Sequence, residues 1–398
     1  MTVRVNKPSF NVREKLSELG RKFGLKGSEL AAAETVQEAR DLVSAGRKNL
    51  VINGNMMISQ RYGFNNPQTV TNQNDYYLDR FILRENTSGA FQVRQSSPGY
   101  PFDNAMQINV TTADTSISSS EYARIQYYVE GNDARAIDWG KSGSKDHLTL
   151  SFWVKTNAPG DYHVSIENSN NSYFPIMVKK YIIKKSDAWQ KVVVTFPPPG
   201  EYNFHRGTDI GLRITWSLVI GSSYNQATDG VWRTSGYQMS TSAQRNFMDT
   251  VGNNFYMTGV QLERGRNATE FEHRPYGEEL ALCQRYFIRF SGSAGTHGTS
   301  AGDGAFATLA NWTTTNAYGP IFLGTEMRTA PSLDGFSGVK YFSGGNQFSL
   351  SGSNVALTGT MTNRVELRLS GLSSLLQGGA GWARLASTSD YIDFNAEL

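Results

Sequence analysis

Cysteine is nearly absent from this 398-residue chain, which contains Cys283 alone. A single cysteine excludes an internal disulfide framework and a zinc site built from cysteines. No apolar run approaches the roughly 18 residues of a membrane span, and the N-terminal sequence MTVRVNKPSF lacks the apolar core of a secretory signal. The sequence therefore predicts synthesis in a reducing cytoplasm and no insertion into a membrane.

An excess of charge of one sign is also lacking. Lys and Arg number 38 against 35 Asp and Glu. A dedicated nucleic-acid binder concentrates Lys and Arg in a basic stripe, so we expect no nucleic-acid partner. Glycine (39 residues) and aromatic side chains (12%) are plentiful instead. They favour many turns, short strands and packed cores.

The N-terminal region has the apolar spacing of two short helices. Apolar residues recur at this spacing in two runs: Val12, Leu16, Leu19 and Phe23, then Val36, Ala39 and Val43. Neither run is long enough to be stable alone in water, where roughly 12 to 15 residues are already marginal. We predict that residues 1–48 form a helical segment for attachment and oligomerisation. The alternative is that its apolar stripes pack back on the chain's own β domain.

From residue 49 to residue 274 the sequence is typical of strands. Runs such as LSFWVK and LRITWSLVI alternate in polarity, and turn clusters rich in Gly, Asn, Asp and Pro separate them. A series of such runs without helical periods between them predicts a mainly β protein with an antiparallel β-sandwich.

Residues 275–290 mark a change in composition. A short helical run, 278–285, follows Pro275, and the sequence beyond it becomes poor in charge and rich in Gly, Ser and Thr. We predict a hinge with a short helix over 275–290 and a second, smaller β domain over 291–398. Cys283 lies among apolar residues of the hinge, so we expect a buried thiol that packs rather than reacts. Gly-rich loops contribute little burial, so the C-terminal domain is expected to gain stability from neighbours, as in a trimer.

Patterns typical of catalysis are missing. A glycan hydrolase needs two carboxylates about 5 to 9.5 Å apart, whereas Glu278 and Glu279 are adjacent on a predicted helix and point in different directions. The five histidines show no HxH or HExxH spacing. We expect no catalytic residues and no enzymatic activity. No DxDxDG loop supports a calcium site, so metal ligands stay unassigned.

Carbohydrate binding requires fewer features than catalysis does. An aromatic ring must be open to the C–H surface of a sugar, with hydrogen-bonding side chains nearby. Trp153, Trp189 and Trp216 lie in or against strand runs, as core residues do. The candidate glycan contacts have turn-like surroundings, and four of them share the long loop 221–246: Tyr224, Trp232, Arg233 and Tyr237, with Trp139 outside that loop. A sandwich loop of this length is often functional. An aromatic in a loop also commonly plugs a core edge or an oligomer interface, so both interpretations stay open.

Several segments carry a resemblance to a known family. They are GVQLE (259–263), ATEFEHRPYGEELALCQRYF (268–287), TVQEARDLVSAGRKNLVINGNM (35–56), DRF (79–81), LSFWVK (150–155) and AEL (396–398). Together they resemble segments of structural proteins of tailed bacteriophages, chiefly tail fibres and related appendages. The resemblance touches most of the chain from about residue 35 onward.

The resemblance implies a jelly-roll domain similar to carbohydrate-binding modules, within a virion component made in the host cytoplasm. On this basis we expect a non-enzymatic, trimeric tail fibre. It would dock on tail or baseplate proteins by its N-terminal segment and contact host cell-surface glycans. Two alternatives are a virion decoration or tail-collar protein without a host ligand, and a glycan-degrading tailspike. Jelly rolls of this kind often carry a structural calcium ion; no other cofactor is expected.

Overall fold

The structure, a computed structural model, describes residues 47–70, 75–140, 143–168, 175–202, 204–234, 236–292 and 304–398. The predicted helical segment 1–48 falls almost entirely outside these residues. So do all the residues of its apolar spacing: Val12, Leu16, Leu19, Phe23, Val36, Ala39 and Val43. No helix in the described ranges is long and apolar enough to cross a lipid bilayer.

Antiparallel strands form two sheets in the first part of the described chain. In chain order they are β1 (Gln68–Thr69), β2 (Asp75–Leu78), β3 (Phe81–Glu85), β4 (Ala90–Ser96), β5 (Ala105–Thr112), β6 (Tyr122–Glu130), β7 (Leu148–Thr156), β8 (Gly160–Asn168), β9 (Ile176–Ile183), β10 (Gln190–Phe196), β11 (Ile210–Ile220), β12 (Trp232–Arg233) and β13 (Asn254–Arg264). One sheet has the order β1-β4-β5-β13-β7-β10 and the other β12-β9-β8-β11-β6-β3-β2. The chain passes repeatedly between the two sheets, so they form a jelly-roll sandwich, the first sandwich.

Alternation of period two places one face of each strand in the core of the first sandwich. The buried apolar side chains of β7 are Leu148, Leu150, Phe152 and Val154. The Phe152 ring meets the ring of Trp216, on β11 of the opposite sheet, at 5.9 Å. Burial of side chains of this kind contributes about 1.5–3 kcal/mol each. The predicted antiparallel jelly-roll sandwich is confirmed.

The strands after residue 286 form a second, smaller sandwich. They are β14 (Phe287–Ser291), β15 (Gly304–Asn311), β16 (Ala317–Phe322), β17 (Ser332–Phe336), β18 (Val339–Ser343), β19 (Asn346–Ser349), β20 (Val355–Thr360), β21 (Arg364–Leu369), β22 (Ala380–Leu385) and β23 (Tyr391–Asn395). A three-stranded sheet, β14-β23-β17, packs on a seven-stranded sheet, β19-β18-β22-β15-β16-β21-β20. Tyr341, Leu367 and Phe394 are fully buried between them. The predicted second β domain is confirmed as a fold.

One α-helix lies between the sandwiches. The helix predicted over 278–285 is present as α1 (Tyr276–Gln284). Cys283, on its last turn, is 1% exposed and packs with Tyr286 in a small apolar cluster of its own. Burial raises the pKa of the Cys283 thiol well above its usual value. The thiol is thus a packing residue, as the sequence predicted.

The segment predicted as a hinge is fastened to both sandwiches. Arg285 and Tyr286 bind the Glu130 carboxylate at the end of β6. Arg80, 1% exposed, forms an ion pair with Glu397 and holds its Cζ 3.5 Å from the Tyr286 ring centroid. We call these five side chains the clasp. It joins the first sandwich to both α1 and the last residues of the chain.

Candidate functional site

Trp139 belongs to the core of the first sandwich. A 3-10 helix, Asp133–Ala136, turns the chain inward just before it. Its ring is 2% exposed and lies 5.9 Å from Phe204, and its Nε1 donates to the Asp146 carbonyl at 2.7 Å. The prediction that Trp139 contacts a glycan is therefore wrong, because neither face of its ring is open to a ligand.

Trp232 lies half-buried at the edge of the same core. It is on β12, next to Met177 of β9. Its ring meets Trp139 edge-on at 5.5 Å, and its Nε1 donates to the Pro197 carbonyl at 3.1 Å. The neighbouring Arg233 donates from Nη1 to the Gln226 carbonyl at 3.3 Å, within the loop. These contacts are those of an aromatic that closes a core edge.

The tyrosines of loop 221–246 pack on the first sandwich. The Tyr224 ring lies 6.2 Å from Tyr122 and 6.3 Å from Tyr237. The Tyr237 hydroxyl accepts a hydrogen bond from Arg124 Nη1 at 2.9 Å. Burial raises the pKa of Tyr237 to about 12. Both tyrosines thus fix the loop to the sheet beneath it.

The sheet face beneath this loop is polar and interior. Arg213 on β11 donates to Glu167 on β8 at 2.8 Å. Arg124, Glu167 and His163 are all buried, and His163 hydrogen-bonds loop residues through both ring nitrogens. Burial raises the pKa of the Glu167 carboxyl, against the opposing effect of Arg213. The loop covers this polar face, and its aromatics make their contacts with other residues of the protein.

Exposed aromatic side chains cluster instead on the second sandwich, on the outer face of its seven-stranded sheet. In β22, Ala383 and Leu385 are buried in the core, so Trp382 and the other alternate residues point outward. Trp382 is 52% exposed. Its register partner on β18 is Phe342. Directly opposed residues have Cβ atoms about 4.5–5.5 Å apart, so the two rings share one surface.

Further aromatics lie on the same sheet face, beyond the small side chains of Thr308 and Ala310 on β15. Thr308 pairs with Trp382, and Ala310 pairs with Tyr318 on β16. Trp312 and Phe322 are each 70% exposed, and Trp312 meets Tyr318 edge-on at 6.4 Å. We call the outer surface of this sheet the aromatic face, formed by Thr308, Ala310, Trp312, Tyr318, Phe322, Phe342 and Trp382.

The sequence prediction missed the aromatic face. It described residues 291–398 only as a smaller β domain and named no strand that includes Trp382, whereas β22 spans Ala380–Leu385. The sequence did contain a signal. Residues 382–385 alternate, with Ala383 and Leu385 at the apolar positions and Trp382 and Arg384 at the positions that face solvent in such a strand. A tryptophan there is exposed by geometry unless another element covers it.

The acids of α1 have structural partners. Glu279 accepts a hydrogen bond from the Asn53 backbone N–H and pairs with Arg274 at 3.4 Å. Glu278 forms an ion pair with Arg47 at 2.5 Å. Within the described ranges, no group of three or more His, Cys, Asp or Glu side chains is placed to hold a metal ion.

The sequence matches no protein-family model and no curated protein. Among solved structures it is similar to the tailspike protein 4 enzymatically active domain of bacteriophage CBA120, at 13% identity and a TM-score of 0.27. That similarity covers 55% of this chain and only 21% of the tailspike chain. A family 4 carbohydrate-binding module is similar at 14% identity and a TM-score of 0.29, over 54% of this chain and 98% of that one. A family 11 carbohydrate-binding module from Clostridium thermocellum is similar at 11% identity and a TM-score of 0.27, over 50% and 95%. Similarity at these TM-scores does not assign a function.

Proposed function

We propose that the chain is a non-enzymatic glycan-binding protein and that the aromatic face is its binding surface. The observation that carries this proposal is the exposure of Trp382, Trp312 and Phe322 on one sheet face, at 52%, 70% and 70%. Exposed apolar side chains that gather in one patch mark an interaction site, whereas scattered ones need no explanation. Phe322 and Trp382 stand on strands and Trp312 directly follows one, so the sheet holds the backbone of all three before a ligand arrives.

The chemistry of a pyranose ring suits this surface. Its C–H faces stack on aromatic rings while its hydroxyls reach polar side chains at the rim. A pair of stacked aromatic rings contributes about 0.5–1.5 kcal/mol beyond its buried area, and we take a sugar stacked on one ring to be a contact of that order. One such site is therefore weak, and strong adhesion requires several copies that engage one surface together.

We place this activity in a virion appendage of a tailed bacteriophage, most simply a trimeric tail fibre. Support comes from the sequence resemblance in segments 35–56 and 268–287. Residues 1–48 would attach the fibre to tail or baseplate proteins, and the aromatic face would meet glycans of the host surface. Trimerisation would supply the multivalency that a weak site needs.

A purely structural role, such as a decoration or tail-collar protein, is the first alternative. Met361 and Leu376 favour it, because they are 53% and 78% exposed on the same sandwich and apolar surface also suits a protein interface. A glycan-degrading tailspike is the second alternative. Release of sugar from a bound polysaccharide distinguishes that activity from simple adhesion.

A matched pair of variants tests the proposal. Trp382→Ala removes an exposed ring of the aromatic face. Trp189→Ala removes a half-buried ring of the first sandwich that lies 6.3 Å from Tyr256. We expect Trp382→Ala to weaken binding to host surface polysaccharide about tenfold, the effect of about 1.4 kcal/mol, with little change in melting temperature. Trp189→Ala should bind as wild type does. Equal binding by both variants, at equal folded fraction, would contradict the proposal.

A further inference from the structure

Cationic side chains border the aromatic face on both sides. Arg384 follows Trp382 on the same side of β22, and its Cζ lies 5.0 Å from the Phe342 ring centroid and 5.7 Å from that of Trp382. On the far side, Arg368 of β21 is the register partner of Tyr318. Guanidinium groups therefore stand beside the rings at two separate places.

These guanidinium groups differ from those of Arg285 and Arg289, which are each held by a carboxylate, at 2.7 and 2.6 Å. No hydrogen bond or ion pair joins Arg384 or Arg368 to a side chain or backbone group in the described part of the chain, and the buried Nε of each lacks an acceptor there. The Nη groups of both side chains are not among the buried atoms, so their N–H donors are available to a ligand on this face.

The charge balance of the face is positive. Two more cations share it or its margin, Arg364, which pairs in register with Phe322, and Lys340, which pairs with Arg384. Among the described residues of the face and its margin, acidic side chains are fewer than cationic ones. Glu366 lies on the same face and accepts a hydrogen bond from the Thr358 hydroxyl at 2.8 Å. Asp390, near Lys340, accepts one from Ser337 at 2.7 Å.

We propose that the aromatic face binds a polysaccharide whose repeating unit carries a carboxylate. This inference rests on the proposed glycan-binding function and specifies its ligand class. The rings of Trp382 and Phe342 stack on sugar faces, and Arg384 and Arg368 receive the carboxylates. A guanidinium presents two parallel N–H donors to a carboxylate, so it recognises this group by geometry as well as by charge.

The spacing of the two guanidinium groups indicates a polymer. β22 and β21 are separated by β15 and β16, which makes three inter-strand steps. At about 4.8 Å a step, the strands that carry Arg384 and Arg368 lie about 14 Å apart. In register, Arg368 is level with Ala380, four residues from Arg384, which adds an offset of about 13 Å along the strands. A single acidic sugar cannot reach both arginines, whereas a chain lying obliquely across the strands can.

The same charges disfavour a second copy of this chain as the occupant. A two-fold contact through this face would bring its arginines against the arginines of the partner copy. Like charges in a desolvated interface are costly. An acidic polysaccharide complements the face instead, so we commit to that occupant.

The test compares polygalacturonate with its carboxyl-reduced form, which keeps the backbone and linkages but has no charge. Both are titrated into the full-length protein, its Arg384→Gln/Arg368→Gln variant and an Arg266→Gln control. Arg266 is exposed on the first sandwich, away from the aromatic face. We expect wild type to bind the acidic polymer at least about tenfold more tightly than the reduced one. The double variant should lose that preference, and the control should keep it.

The possible results separate the carboxylate assignment from glycan binding itself. Equal affinity for the two polymers in wild type would overturn the carboxylate assignment and leave glycan binding intact. Binding of neither polymer, together with failure of host polysaccharide to bind, would overturn both. Equal loss in the Arg266→Gln control would show non-specific attraction and overturn the site. Oligomer mass is measured in parallel, and dissociation of an oligomer by Trp382→Ala would assign the face to a second copy and contradict the proposal.

Discussion

Arg285 holds Glu130 by two parallel hydrogen bonds, from Nη2 to Oε1 at 2.7 Å and from Nε to Oε2 at 2.9 Å. Tyr286 and Asn132 donate to the same carboxylate, each at 2.7 Å. Burial acts to raise the pKa of Glu130, but the hydrogen bonds from Arg285, Tyr286 and Asn132 outweigh it and lower the pKa below its ordinary value. The contact fastens α1 to β6 and so ties the two sandwiches together.

Acid is expected to weaken this part of the clasp. The folded pKa of Glu130 lies below the ordinary value of 4.5. Its stabilising contribution is therefore complete above that pH and is lost as the pH falls through the folded pKa. We expect Glu130→Gln to reduce the free energy of unfolding at pH 7 by about 1–3 kcal/mol. The difference from wild type should shrink below about pH 4.5.

Melting curves between pH 3 and pH 7 measure this effect. Glu201→Gln, at an exposed position of the first sandwich, is the matched control and should follow wild type throughout. A difference between Glu130→Gln and wild type that stays constant down to pH 3 would contradict the assignment.

The buried ion pair of the clasp is expected to behave as a coupled unit. Arg80 and Glu397 have side chains only 1% and 4% exposed, and Arg61 lies 3.4 Å from the same carboxylate. Arg80→Met leaves Glu397 with one cation and should reduce the free energy of unfolding by about 3–5 kcal/mol. Adding Glu397→Gln should restore part of the loss. Urea unfolding of both single variants and the double variant measures the coupling, and simple additivity would show that the pair does not act as a unit.

Cys283 is expected to be unreactive in the folded protein. Because its side chain is 1% exposed and burial raises its pKa, labelling should require unfolding. Cys283→Ser should be less stable than Cys283→Ala by up to about 1–3 kcal/mol, since the serine hydroxyl is buried in an apolar cluster. Fast, stoichiometric labelling of the native protein would show that the thiol is open to solvent.

Trp232 is expected to serve stability more than binding. Its ring closes the core edge beside Trp139. Trp232→Ala should therefore lower the free energy of unfolding by about 1–3 kcal/mol, and Trp139→Ala by about 3–5 kcal/mol. Polysaccharide affinity, corrected for the folded fraction, should be unchanged in both. If Trp232→Ala lost affinity while its melting temperature stayed that of wild type, loop 221–246 would be the glycan-binding site instead.

Strands were predictable from the sequence wherever every second residue is strongly apolar. LSFWVK and LRITWSLVI became β7 and β11 because Phe152, Ile214 and Trp216 recur at period two in a single core. Local pattern suffices there, since each residue's face follows from its neighbours. The short helix α1 was also predictable from local sequence, namely Pro275 and the run that follows it.

The binding surface could not be predicted in the same way. Trp382 and Phe342 are 40 positions apart in the sequence, and only the register of β18 with β22 brings them together. Gly381 also made β22 hard to recognise in the sequence, because glycine usually indicates a turn. Here packing requires it, since a Cβ at this position would lie 2.5 Å from the Tyr341 ring. Trp139, in a turn-like sequence, is buried by long-range packing that local composition does not encode. Register and packing between distant strands therefore decided which aromatics are exposed.

Glycan is expected to bind the outer face of the seven-stranded sheet in the second sandwich. Hydroxyl-radical footprinting of the protein, with and without bound host polysaccharide, shows directly which surface the glycan covers. Trp312, Phe322 and Trp382 should be protected from oxidation on binding, while Tyr100, 82% exposed on the first sandwich, should react as before. Unchanged reactivity of these three residues, with protection appearing in loop 221–246 instead, would show that the glycan binds the loop and not the aromatic face.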